Sequence, residues 1–214
     1  MATYKKGILG YFRGTVGTVV GSVWRGIHYM KSLPDVGEDN PSPAQINVRA
    51  KLALVSLFFK RLKALINIGY QQFKRGATPV NAATGYHLKN AVTGTSSLNY
   101  AIDYEKVIIS VGDLLPVEEA EVLITTAAKL DFSWANNAPV GDPGETDKAT
   151  LLVYNPTKDK FVTLAGAAPR SAAAYVLQLP ATFSGDNVHA WISFVSVDGK
   201  EVSNSFYAGE FLVL

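Results

Sequence analysis

The chain has 214 residues, which fits one large domain or two modest ones; with 48% apolar and 18% charged residues it can build a core and is not disordered throughout. It contains no cysteine, which excludes a disulfide scaffold, thiolate zinc sites and cysteine nucleophiles. The net charge of +2 is unevenly spread: residues 1–76 carry twelve Lys/Arg against three Asp/Glu, a balance of +9, and residues 77–214 carry eight against fifteen, a balance of −7. Such a split suits nucleic-acid or membrane contact, and equally a subunit that attracts its own copies head to tail.

The first apolar run, Gly7 to Phe12, is ended by Arg13, too early for the h-region of a signal peptide. The stretch Leu52 to Phe59 is stopped by Lys60 and Arg61, short of a membrane span. The expectation is a chain made in the cytoplasm without a signal peptide, compatible with later release from the cell or incorporation into a particle.

Residues 1–32 form a glycine-rich segment. Gly7, Gly10, Gly14, Gly17 and Gly21 are spaced as a helical stripe would space them. The residues between them are strand formers, however, and each glycine weakens a helix by about 1 kcal/mol. A β-meander is therefore predicted, with strands Tyr11–Val16, Thr18–Trp24 and Ile27–Ser32. Residues 33–43 read as a proline-containing linker.

A helical segment follows over 44–100. Ser42, Pro43 and Gln45 make a capping box with proline at the first helical position. Val48, Leu52, Val55, Phe59, Leu62 and Ile66 then recur at alternating steps of four and three, with Leu54, Phe58, Leu65 and Ile68 as a second row. This predicts one helix, buried on more than one side, from Pro43 to about Ile68. Thr78-Pro79 repeats the cap, so a second helix is expected from Val80 to about Val92, closed by Gly94.

From 101 to 214 the pattern is that of strands. Candidates are Val107–Val111, Leu130–Trp134, Thr150–Tyr154, Lys160–Leu164, Ala174–Leu179, Val188–Val197 and Phe206–Leu214. Their turn-bounded spacing predicts an antiparallel sandwich. The fold class expected is α+β: a glycine-rich β-meander, a central two-helix segment and an immunoglobulin- or fibronectin III-like β-sandwich. Leu130-Asp131-Phe132-Ser133-Trp134 resembles the tryptophan-bearing second strand of fibronectin type III domains, and residues 194–205 resemble their last hairpin. The whole chain is similar to a family of unassigned function common in Bacteroidota. The similarity is carried by Gly14-Thr15-Val16-Gly17-Thr18-Val19-Val20-Gly21, Trp24-Arg25-Gly26-Ile27, Pro43-Ala44-Gln45, Ile66-Asn67-Ile68-Gly69, Leu152-Val153-Tyr154-Asn155-Pro156 and Val202-Ser203-Asn204-Ser205. It implies a division into parts and no chemistry.

Reactive constellations are few. His28, His87 and His189 fall in different elements with no ligand spacing. Asp142, Glu145 and Asp147 offer oxygens for calcium but lack an EF-hand pattern, and read as a solvated loop. Glu118, Glu119 and Glu121 read as a turn or a solvated face. Arg49, Lys51, Lys60, Arg61, Lys63, Lys74 and Arg75 could contact phosphate, but a solvated helix face explains them. No nucleotide loop or nucleophile elbow occurs. The expected function is a non-enzymatic structural subunit, without cofactor or metal, that assembles with itself head to tail into a filament, a phage-like particle or an injection apparatus. Its expected interface is Ile8, Tyr11, Phe12, Val19, Val20, Trp24, Ile27 and Tyr29. The rival reading is a surface module binding glycan or protein through sandwich loops; a nucleic-acid-associated protein ranks below it.

Overall fold

Strand-forming residues broken by glycine turns fold the N-terminal segment into an antiparallel sheet. In the computed structural model, β1 (Thr3–Tyr4), β2 (Phe12–Val16), β3 (Val19–Trp24) and β4 (Ile27–Ser32) lie in the order β1-β2-β3-β4. The structure describes all residues except Met1, Lys5, Lys6, Ile8, Leu9, Val36, Lys74 and Arg75, and the side chain of Tyr4. Arg25 and Gly26 join β3 to β4 with φ of 49° and 83°, the positive values that a type I′ hairpin turn requires. Gly21 lets β3 approach β2 closely: a Cβ there would stand 2.3 Å from the Phe12 carbonyl oxygen. The chain divides into two compact units, Met1–Ser42 and Pro43–Leu214.

The second unit opens with α1 (Pro43–Arg61), α2 (Lys63–Gly69) and α3 (Pro79–Asn90). One helix was expected where α1 and α2 stand. At Leu62 the amide bonds back three residues, to the Phe59 carbonyl at 3.1 Å, instead of four. That tightened turn offsets α2 while keeping Phe59, Leu62 and Ile66 buried. The helix was expected to be buried on more than one side; instead Ile46, Val48 and Leu52 are exposed in the first half of α1, and in its second half Val55, Phe58 and Phe59 are buried while Leu57 is exposed. The start of α3 follows the sequence signal: Thr78 Oγ1 accepts from the Asn81 amide at 3.2 Å. Val92 leaves the helix for β5 (Val92–Thr93), paired with β6 (Ala101–Ile102).

The remaining strands are β7 (Glu121–Leu123), β8 (Lys129–Ser133), β9 (Lys148–Asn155), β10 (Lys160–Leu164), β11 (Ala174–Gln178), β12 (Asn187–Val195) and β13 (Phe206–Leu212). They form a three-stranded sheet, β11-β8-β7, and a four-stranded sheet, β10-β9-β12-β13, antiparallel throughout. One shared core holds Leu130, Phe132 and Trp134 of the smaller sheet side with Leu151, Val153, Ala190, Ile192 and Phe194 of the larger sheet. Three strands against four, sharing a core, is an immunoglobulin- or fibronectin III-like sandwich. Because Trp134 is buried in that core, Trp134→Ala is expected to lower unfolding stability by about 3–5 kcal/mol. A loss below about 1 kcal/mol in a urea titration would remove Trp134 from the core.

Helices and sandwich, expected as separate segments, share a second core. The opposite face of the larger sheet presents Leu152, Tyr154 and Trp191 to Val55, Phe58, Phe59, Leu62 and Ile66 of the helices. Both faces of β9 and β12 are thus buried, which is why they read as nearly continuous apolar runs.

Val107, Ile109 and Val111, expected on a strand, instead lie in an extended connector. Its amides are taken by other groups: Ile108 by His87 Nε2 (3.0 Å), Ile109 by Ser205 Oγ (3.0 Å), Val111 by the Gly69 carbonyl (2.8 Å) and Gly112 by Asn204 Oδ1 (3.2 Å). Val107 and Ile109 are buried as the alternation implied, but the pattern breaks at Ser110, which is buried too, and among the described residues no neighbouring strand supplies a ladder. β7 went unpredicted because three residues are too few for periodicity to register.

His87 fastens α3 to this connector. Its Nδ1 bonds the Ala83 carbonyl at 2.7 Å and its Nε2 accepts from Ile108, so the neutral Nδ1–H form satisfies both. Burial lowers its pKa to about 4 against an ordinary 6.5. The unfolded chain therefore binds the proton first. Its contribution to stability is complete above pH 6.5 and declines as pH falls to about 4, by about 3 kcal/mol in all. A His87→Gln variant should show a flatter pH dependence of stability across that window; an unchanged slope would overturn the assignment.

Candidate assembly interface

Strand alternation sorts the N-terminal sheet into two faces. The registers Gly14↔Gly21, Val16↔Val19, Gly21↔Met30 and Val23↔His28 place Phe12, Val16, Val19, Val23 and Met30 on one. Val20, Trp24, Ile27 and Tyr29 lie on the other. Exposed apolar side chains occur on both: Val16, Val19, Val23 and Met30 on the first, Trp24, Ile27 and Tyr29 on the second. Ile27 is 63% and Met30 71% exposed. Phe12, lying over Gly21, and Val20 are half-buried. Tyr11, ahead of β2, stacks on His28 with ring centroids 3.6 Å apart.

Of the residues expected at an interface, Tyr11, Val19, Trp24, Ile27 and Tyr29 are thus exposed, Phe12 and Val20 partly covered, and Ile8 lies outside the described residues. The sequence reading missed Val16, Val23 and Met30; period-two parity from Val19 reaches Val23, whereas Val16 and Met30 join that face through the registers Val16↔Val19 and Gly21↔Met30.

The other candidates are occupied by structural bonds. Asp142 Oδ1 accepts from the Gly144 amide (2.7 Å) and Glu145 Oε2 from the Gly141 amide (3.2 Å), while Asp147 faces Arg170. Among the described residues no group of three or more His, Asp or Glu could hold a metal ion. Glu121 begins β7, and Glu118 gives its carbonyl to Ala135. His189 Nδ1 meets the Tyr207 hydroxyl at 2.8 Å, and burial lowers its pKa. The basic residues scatter: Arg61 pairs with Asp159 at 2.8 Å and Lys51 lies over the Tyr100 ring at 4.8 Å. Lys60 and Lys63 line a groove of about 1000 Å³ with Leu52, Leu57 and Val80. Lys74 and Arg75 lie outside the described residues. No described helix is long and apolar enough to cross a membrane.

The charge split also looks different on the folded chain. Residues 1–42 carry five basic against three acidic residues, a net of +2, and residues 43–214 carry fifteen of each. The basic helices and the acidic sandwich belong to one unit. The split therefore gives a head-to-tail contact no separate acidic body to meet.

Several motifs that carry the family resemblance act as clamps. Ser205 and Asn204 hold the connector's amides, Ser203 Oγ accepts from Phe194 (2.8 Å), and Asn155 bonds Asp186 (2.7 Å). A Cβ on Gly69 would stand 2.1 Å from the Ile109 carbonyl oxygen, so helix and connector touch there.

Residues 11–209 match the model of a family of unknown function, DUF6266, and the chain belongs to that family. No curated protein matches significantly. Similar solved structures include the fn3 domain of human collagen alpha-1(XX), at 12% identity over 46% of this chain and 84% of that one, with a TM-score of 0.35. The chicken CNTN1 FN1-FN3 domains match at 6% identity over 48% of this chain and 33% of that one, with a TM-score of 0.34.

Proposed function

We propose that the protein is a non-enzymatic structural subunit that self-assembles, its N-terminal sheet contacting a neighbouring subunit in a filament, a phage-like particle or an injection apparatus. One observation carries this reading: a four-stranded sheet exposes large apolar side chains on both faces. A small sheet needs a covered apolar face for stability, and contiguous exposed apolar surface marks interaction sites. Apolar burial would supply most of the assembly free energy. The rival reading, ligand binding through sandwich loops, calls for exposed aromatics there. Among the described residues the exposed aromatics of the second unit are Phe73, Tyr86 and Phe206, and Phe206 opens a strand while the others flank or line helices.

The test is deletion of residues 2–32, followed by light scattering on a sizing column. The expected product is folded and monomeric, while the full chain forms oligomers that grow with concentration. A full-length chain that stays monomeric at high concentration, its N-terminal segment resisting protease, would overturn the proposal.

A further inference from the structure

β4 is one of the two edges of the N-terminal sheet, the other being the short β1. All six residues of β4 are exposed, β3 pairs with one side, and no described strand pairs with the other. Exposed edges are templates for strand addition, and proteins blunt them with charge, proline, bulges or shortness. Three of the sandwich's four edge strands do so, and the fourth, β11, is uncharged and pairs with β8 in an unbroken register. β7 has three residues, β10 begins with Lys160, and β13 carries Glu210 and an irregularity in its register near Gly209 (φ 131°). β4 has six residues, an unbroken register with β3 and no proline, and Lys31 is its one fixed charge.

Its backbone polarity can be read from the hairpin. The Leu33 amide donates to the Thr18 carbonyl, at 2.6 Å, so odd-numbered residues turn their backbone groups toward β3. The even-numbered residues His28, Met30 and Ser32 turn theirs to the open side. None of those three carries a fixed charge.

We infer that two copies of the chain join by antiparallel pairing of their β4 strands about a two-fold axis at Met30. This rests on the self-assembly reading and names its contact. With Met30 opposite Met30, His28 stands opposite Ser32 and Ser32 opposite His28. All three outward residues then exchange two hydrogen bonds each with their partners. Tyr29 stands opposite Lys31, where ring and ammonium attract, and Ile27 stands opposite Leu33. A shift by one pair toward the C-terminus would set Lys31 against Lys31. A shift toward the N-terminus leaves Ser32 opposite Gly26, beyond the strand. The pairing centred on Met30 is thus the one of the three that uses every outward group, and it opposes no like charges. The contact is isologous, the same strand on both sides, and joins the two sheets as one. It replaces the head-to-tail arrangement for this segment.

The absence of native cysteine makes the test clean. In the full-length Met30→Cys variant the two Cys Cα atoms would lie about 5.5 Å apart, within disulfide range. In Ser32→Cys they would be about 14 Å apart, four residues of strand rise. Mild oxidation should convert Met30→Cys to a reductant-sensitive dimer and leave Ser32→Cys unlinked at the same concentration. Met30→Lys, which sets two ammonium groups together, should give monomer with unchanged circular dichroism. Equal linking of both cysteine variants, or of neither while the parent chain remains oligomeric and Met30→Lys assembles like it, would overturn this contact and leave the self-assembly reading standing. A parent chain that is monomeric at every concentration would overturn both.

Discussion

Replacing Arg170 with methionine is expected to cost about 3–5 kcal/mol of unfolding stability, the usual consequence of removing one partner from a buried charged pair. Arg170 is fully buried between β10 and β11. One guanidinium nitrogen donates to Asn137 Oδ1 (2.7 Å) and the Pro116 carbonyl (3.2 Å). The other donates to the Leu115 carbonyl (2.9 Å) and faces Asp147 at 3.5 Å. The guanidinium carbon lies 3.8 Å from the Phe194 ring centroid. Its own carbonyl accepts from the Trp134 indole at 2.9 Å. Methionine keeps the packing volume and removes every polar contact of the side chain, leaving the backbone carbonyl to Trp134. The Leu115 and Pro116 carbonyls then lose a donor, and the Asp147 carboxyl, whose pKa burial already raises, loses its counter-charge. Asp147→Asn should cost less, because the guanidinium retains its three other acceptors. A urea midpoint for Arg170→Met within about 1 kcal/mol of the parent would show that the pair is not holding the 113–118 approach to β7.

What could be read from the sequence was whatever local chemistry decides. The hairpin around Arg25-Gly26 needs two adjacent residues at positive φ, and glycine announces it. Thr78-Pro79 starts α3 through its own hydroxyl. Strands β9 to β13 stand where alternation and turn residues put them. The break at Leu62 has no such marker, since an ordinary leucine carries it and tertiary packing decides it. The connector through Val107 and Ile109 looked like a strand because its apolar residues alternate in sequence, and both of these are buried. What it lacks is a neighbour, and partnership is a property of the whole fold. Arg170 was unmarked for the same reason: its acceptors lie at 115, 116, 137 and 147, far apart in sequence. At the candidate interface, composition pointed to the right segment. The two faces and the open edge at Met30 emerged only once register was known.

The second large effect is expected at Trp191, where the helices meet the sandwich. The side chain is fully buried and stands opposite Leu152 in the β12–β9 register. Its indole donates to the Val107 carbonyl at 3.1 Å, and its ring centroid lies 5.4 Å from that of Tyr207. Trp191→Ala should cost about 3–5 kcal/mol, as large-to-small changes in a core do. Trp191→Phe keeps most of the apolar volume and loses the donor, leaving the Val107 carbonyl unsatisfied at about 1–3 kcal/mol. The two variants should also differ in where the damage falls. Trp191 belongs to the core shared with the helices and points away from the core inside the sandwich. Amide exchange in Trp191→Ala should therefore quicken first in α1 to α3 and the 107–111 connector, and last in β8 and β11. If exchange rises equally in both places, helices and sandwich unfold as one cooperative body, and the second core is as integral to the fold as the first. If β8 and β11 lead, Trp191 supports the interior of the sandwich and the helices are held by other contacts.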